Sequence, residues 1–195
     1  MNTKGLLLCA ALALPAALAA QQPAAAPTPN PITLAFKNAG AQNARFLSAA
    51  FDSIPAAKYG FKLTPAQLSV GYIAQHLESA NYQLCGLFGG MKPMMTSRDS
   101  LADTVKAMWP KDTLVARLKA SFTFCDAAVA TLDDPKLSDM IPVGPPAMGR
   151  TSVRARLVLI YVTDLVDHYS QMANYMRAMG MIPPSALPRP GRGGE

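Results

Sequence analysis

The last long amphipathic stretch constrains this chain more than any other. Counting in steps of three and four from Val153 places Leu157, Tyr161, Asp164, His168, Met172, Tyr175 and Met179 on one stripe of a helix. Such a stripe faces a core, and most of its members suit one. Asp164 and His168 do not. They sit one turn apart, with Cβ atoms about 5–6 Å from each other. A carboxylate buried without a partner is costly enough that the fold must neutralise it. Two partners serve: a metal ion, or a hydrogen-bonded proton network.

The same periodicity recurs upstream. A first helix is predicted over Leu34–Ile54, with Phe36, Asn43, Phe46, Leu47, Ala50, Phe51 and Ile54 on its core-facing side and Pro55 ending it. A second is predicted from the capping sequence Thr64-Pro65-Ala66-Gln67 to about Phe88, with Val70, Ile73, Leu77, Leu84 and Leu87 as its seam and Gly89-Gly90 beyond it. A third opens with Asp112 as cap and runs to about Leu132, stopped by Asp133-Asp134-Pro135. The fourth covers about Arg150 to Met179. Gly180 fits the left-handed residue after a helix end, and Pro183-Pro184 prevents continuation. Met91–Lys111, with a short helix over Ser100–Met108, and Met140–Gly149 are long connections of the kind that cross between bundle ends. Trp109 reads as a packing residue capping the bundle. No strand pattern and no internal repeat is seen. The expectation is an all-α four-helix bundle over residues 32–184.

The flanks read differently. Met1-Asn2-Thr3-Lys4, an apolar run from Gly5 to Leu18 and the small residues Ala17-Leu18-Ala19 have the layout of a secretory signal peptide over residues 1–19. That run is short for a spanning helix and contains Pro15, so stable membrane insertion after its removal is not expected. Residues 20–31 form a Pro/Ala-rich linker and 185–195 a flexible tail. The expected location is the periplasm or the exterior. Without Lys4 the net charge is +5, 17 basic against 12 acidic residues. The basic residues are scattered and no aromatics interleave with them, which argues against a nucleic-acid partner. Two cysteines remain, Cys85 and Cys125 on separate helices. In an exported chain they favour a disulfide over two buried thiols. Asp133, Asp134 and Asp139 lack calcium-loop spacing and read as turn acids.

The only two histidines, His76 and His168, both fall in helices at or beside the buried face. With Asp164 they form a two-histidine, one-carboxylate set from two facing helices. It suits a divalent ion such as zinc or nickel and leaves positions open for water or substrate. The bland alternative is a pair of satisfied core histidines with Asp164 hydrogen-bonded to one of them. Phosphate-loop, dinucleotide and covalent-haem motifs are absent.

The closing run Asp167-His168-Tyr169-Ser170-Gln171, then Tyr175-Met176-Arg177-Ala178-Met179-Gly180-Met181-Ile182-Pro183-Pro184, resembles the ending of the DinB-like superfamily. Ile73-Ala74-Gln75-His76 resembles its second-helix histidine segment, and Ile54-Pro55 with Tyr59 the segment between its first two helices. The resemblance implies a bundle of up-down-down-up type holding a divalent metal through three histidines. His76 and His168 fall on two of those positions. Asp164 stands at the third, and Ser170 stands where the family usually has Gly. Members of the superfamily include metal-dependent thiol transferases and a thiol-dependent isomerase.

Three functions compete. The first is an exported DinB-like metalloprotein, a hydrolase or transferase acting on a small molecule through His76, Asp164 and His168. The second is a non-catalytic bundle, a binding or scaffold module that has lost the metal and forms a homodimer through an exposed helix face. The third is a non-covalent haem bundle using a histidine and a methionine. The metalloprotein reading requires that the His76 imidazole converge on the Asp164–His168 pair.

Overall fold

A computed structural model describes residues 28–188. The expected leader, linker residues 20–27 and tail residues 189–195 lie outside the described residues. Five α-helices follow one another: α1 (Pro31–Ser53), α2 (Val70–Gly89), a single short turn α3 (Asp103–Lys106), α4 (Lys111–Ala130) and α5 (Arg154–Ala178). The four long ones form a bundle around Leu47, Phe51, Ile54, Ile73, Leu77, Leu114, Leu118, Leu165, Met172 and Met176, all essentially without solvent exposure. Burying each of these side chains contributes roughly 1.5–3 kcal/mol, so the core is the main source of stability.

The contacts give each helix its direction. Glu78–Arg117, Asn81–Ser121 and Cys85–Cys125 pair in step, so α2 and α4 run parallel. Gly40 lies against the Tyr161 ring and Phe46 stacks on Tyr169, which sets α1 parallel to α5. Tyr175 bonds the Leu68 carbonyl just before α2, while Tyr161 packs on Phe88 near its end, so α2 and α5 run oppositely. Parallel neighbours cannot be joined by a short turn, which is why residues 91–110 cross the length of the bundle. That crossover is anchored by Arg117. Its guanidinium holds the Glu78 carboxylate at 2.6 Å and the Asp99 carboxylate, and lies 5.0 Å from the centre of the Trp109 ring. The Cys85–Cys125 disulfide ties the same two helices, with Cα atoms 5.2 Å apart. In the chain-entropy model such a link stabilises by about 4 kcal/mol.

The helix boundaries depart from the sequence expectation: α1 begins three residues early at Pro31, α3 spans Asp103–Lys106 and not Ser100–Met108, and the starts of α2, α4 and α5 also shift. Helix α2 begins at Val70, not at the Thr64-Pro65 cap. Thr64–Gln67 closes a turn of its own, and the first helical N–H groups are claimed by the preceding loop: Val70 donates to the Phe61 carbonyl at 3.1 Å and Gly71 to that of Tyr59 at 2.8 Å. Ser69 is the cap, its Oγ accepting from the Tyr72 N–H. Helix α4 begins two residues early, with Pro110 in the cap position and Asp112 inside the first turn. There its charge still favours the helix N-terminus. Helix α5 begins at Arg154 because residues assigned to its start belong to a ribbon. Thr151–Val153 (β2) pairs antiparallel with Met140–Pro142 (β1), so the expectation of no strands fails. The ribbon is short, and only Ile141 and Ser152 turn inward, too few positions for alternation to register. Ser185, placed in the tail by sequence, is docked: its N–H donates to the Tyr169 hydroxyl at 2.7 Å.

The turn acids have structural partners. Asp134 accepts the Ile32 and Thr33 N–H groups at 3.1 and 2.7 Å, capping α1 from more than a hundred residues away. Asp139 pairs with Arg154, whose guanidinium also reaches the Phe88 carbonyl at the end of α2.

Close approach demands glycine at both ends of α2. A Cβ at Gly89 would lie 2.7 Å from that of Ala128, and one at Gly71 would strike the Ala107 carbonyl oxygen. A backbone carbonyl cannot rotate aside as a side chain can. Gly71→Ala is therefore expected to cost about 1–3 kcal/mol in urea unfolding. Gly60→Ala, which meets open space, is expected to stay within about 0.5 kcal/mol of the parent.

Candidate metal centre

The antiparallel run of α2 against α5 brings the two histidines together. His76 lies on the second turn of α2, and Asp164 and His168 lie one turn apart in the middle of α5. One ligand atom from each of the three lies within 4.8 Å of the others. The nearest approaches are 3.5 Å from His168 Nε2 to Asp164 Oδ1 and 3.8 Å from His76 Nε2 to the same oxygen. The imidazole rings meet edge to face, with centroids 4.9 Å apart. His168 is buried, whereas the His76 side chain is 40% exposed, so one side of the cluster is open. The convergence required of His76 is thus present.

A hydrogen-bonded chain fixes the tautomer of His168. The Tyr175 hydroxyl donates to the Leu68 carbonyl at 2.8 Å, and that carbonyl can only accept. The hydroxyl oxygen is then free to receive the Gln171 Nε2–H at 3.4 Å, which turns Gln171 Oε1 toward His168. His168 Nδ1, 3.1 Å from that oxygen, must carry the proton. The Nε2 lone pair therefore faces the Asp164 carboxylate. Two acceptors pointed at one another call for a donor or a cation between them, and a metal ion is one group that meets the demand. The other oxygen of Asp164, Oδ2, is buried and has no hydrogen-bond partner among the described residues. Two imidazoles, a carboxylate and an unsatisfied buried oxygen make a donor set that can hold a metal ion.

In the metal-free protein the cluster bears on His76. Its pKa is raised, first by the side-chain interaction with Asp164, which at 3.8 Å is an ion-pair contact longer than a formed hydrogen bond. Partial burial opposes the shift, and the charges of Asp164 and Asp103 add to it. Gln171 and Tyr175, both within the quoted closing motif, were not singled out from sequence as supports for His168. The available signal was their spacing, three and seven residues beyond it on the same face.

The sequence profile of the DinB superfamily matches residues 41–172, a span that includes all three cluster residues. Among solved structures, a DinB-like protein from Bacillus cereus ATCC 10987 superposes with a TM-score of 0.58 at 16% identity, covering 76% of this chain and 93% of that one. A conserved protein from Enterococcus faecalis gives 0.57 at 15%, covering 76% and 96%. The mycothiol-dependent maleylpyruvate isomerase gives 0.55 at 16%, covering 72% of this chain and 60% of the isomerase. At these identities the likeness is one of fold. No curated protein matches the sequence significantly.

A group whose folded pKa is raised adds stability below its unfolded pKa, about 6.5 for histidine, and that stability is lost as pH rises through the folded value. The chelator-treated protein is thus expected to unfold at lower urea on going from about pH 6 to about pH 8. Asp164→Asn should flatten this part of the profile. Gln171→Leu removes the acceptor for His168 Nδ1–H, and zinc affinity measured by competition with a chromophoric chelator should fall about 10–100-fold.

Proposed function

We propose that this chain, which belongs to the DinB superfamily, is a metal-dependent hydrolase or transferase whose ion is held by His76, Asp164 and His168. One observation carries the reading: a histidine lone pair, fixed by the Gln171–Tyr175 chain, is aimed at a carboxylate with an unpartnered buried oxygen. A divalent ion bound there supplies a Lewis acid that makes water or a thiol nucleophilic at neutral pH. The protein's own residues set the conditions for it. Asp164 brings one negative charge where the family usually has a neutral imidazole, so the bound centre is less cationic by one charge. Gln171 orients His168, and the half-exposed His76 borders the side from which a small molecule can enter. Three protein ligands leave coordination positions free.

The disulfide favours an oxidising compartment, and export through the leader expected over residues 1–19 is part of the proposal. A second reading has its own support. His76 and His168 both lie at ion-pair distance from Asp164, so protonation alone could satisfy the carboxylate in a binding or scaffold module without metal.

Protein purified without chelator should contain about one transition-metal ion per chain by elemental mass spectrometry. His76→Ala and Asp164→Ala should each lose it, while Asp164→His, restoring a ligand, should retain it. Metal content that is substoichiometric and indifferent to His76→Ala would sink this reading in favour of the second.

A further inference from the structure

We propose that a cleft beside the His76–Asp164–His168 cluster takes the apolar body of an uncharged small molecule, a neutral acyl compound, and presents its carbonyl end to the cluster. The second half of this proposal rests on the metal reading; the first half does not. The cleft lies between α2 and the crossover and encloses about 660 Å³, within the range of small-molecule sites. Its position follows from helix geometry. Ser79 and Gln83 line it and stand three and seven residues beyond His76, so the strip of α2 that carries the imidazole continues along the cleft. Tyr82, Leu87, Met91 and Met95 give it an apolar wall.

The charges decide the chemistry of the occupant. Three carboxylates and one ammonium line the cleft, and the carboxylates are answered by two cations. Glu78 and Asp99 are both held by Arg117. Lys106, itself buried, is held by Asp103 at 2.9 Å and approaches Ser79 Oγ at 3.4 Å. An anionic ligand would face a surplus of one negative charge, and a cationic one would compete with Arg117 or Lys106 for carboxylates they already hold. An uncharged one meets an apolar wall and, at the Ser79–Lys106 end near His76, donors for a carbonyl oxygen. The Leu87, Met91 and Met95 side chains of the wall are flexible enough to admit chains of varied shape.

Titration of the full chain with the uncharged dye N-phenyl-1-naphthylamine, followed by fluorescence, tests the cleft. Saturable binding that survives EDTA and falls about tenfold in Gln83→Trp, with helicity unchanged by circular dichroism, supports it. Ser79→Phe on the exposed lip gives the same comparison should Gln83→Trp fold poorly. Dye that does not saturate, or that binds both variants as it binds the parent, overturns it. Octanol should displace the dye at lower concentration than octanoate or octylamine; the reverse order overturns the uncharged assignment. Octanohydroxamic acid, neutral and able to ligate metal, should displace the dye about tenfold more tightly from zinc-loaded than from metal-free protein, while octanol shows no difference. Zinc that binds without changing the hydroxamate overturns delivery to the cluster. Dye binding with no metal retained sinks the metal reading and leaves the cleft standing; metal retained with no dye binding does the opposite.

Discussion

Everything in this protein turns on a carboxylate oxygen placed between two imidazoles inside a helical bundle. Asp164 is held in a central turn of α5, its side chain only 24% exposed, with Leu165 beside it fully buried and His168 buried one turn on. Its negative charge must be answered where it stands. His168 answers from the same helix and is fixed by its neighbours on that helix. His76 answers from another helix and is only as well placed as α2 itself.

The rest of the structure can be understood as the means by which α2 is held. At its start, Gly71 lets the crossover backbone approach to contact distance, and the Tyr175 hydroxyl clamps the Leu68 carbonyl. In its middle, Glu78 is gripped by Arg117. Toward its end come the disulfide and the close passage of Gly89 over Ala128. Helix α2 is therefore fixed against α4 from Glu78 to Gly89, and against α5 at its two ends, where Tyr175 meets Leu68 and Tyr161 meets Phe88. Precision of about 0.5 Å in a metal-binding constellation requires support of this kind from outside the ligands themselves.

Much of this was legible in the sequence because helical periodicity is a local signal. The stripe from Leu157 to Met179 fixed the orientation of Asp164 and His168 relative to one another, since both lie on one helix. The seam of α2 placed His76 near the buried face, and two cysteines on separate helices gave the cross-link. What the sequence did not disclose was decided by non-local bonds. The capping pattern at Thr64 is a sound local signal, but N–H groups six residues later were taken by Tyr59 and Phe61, and the helix waited for Ser69. The ribbon formed by Met140–Pro142 and Thr151–Val153 is three residues to a side, too short for its alternation to show in the sequence. Gln171 looked like one more polar residue until the Leu68 carbonyl, from a different segment, gave its hydrogen-bond chain an end.

The capping of α1 by Asp134 carries a consequence for how the chain is built. The first turn of the first helix finds acceptors for its backbone only in a residue synthesised after α4 is complete, and Asn30 returns the favour by accepting the Asp134 N–H at 3.1 Å. The parallel partner of α1 is α5, later still. An emerging chain that has only its first two helices lacks both the cap and the neighbour, and loop closure over such separations is slow. The amino-terminal helix thus draws its cap and its parallel neighbour from the later part of the chain.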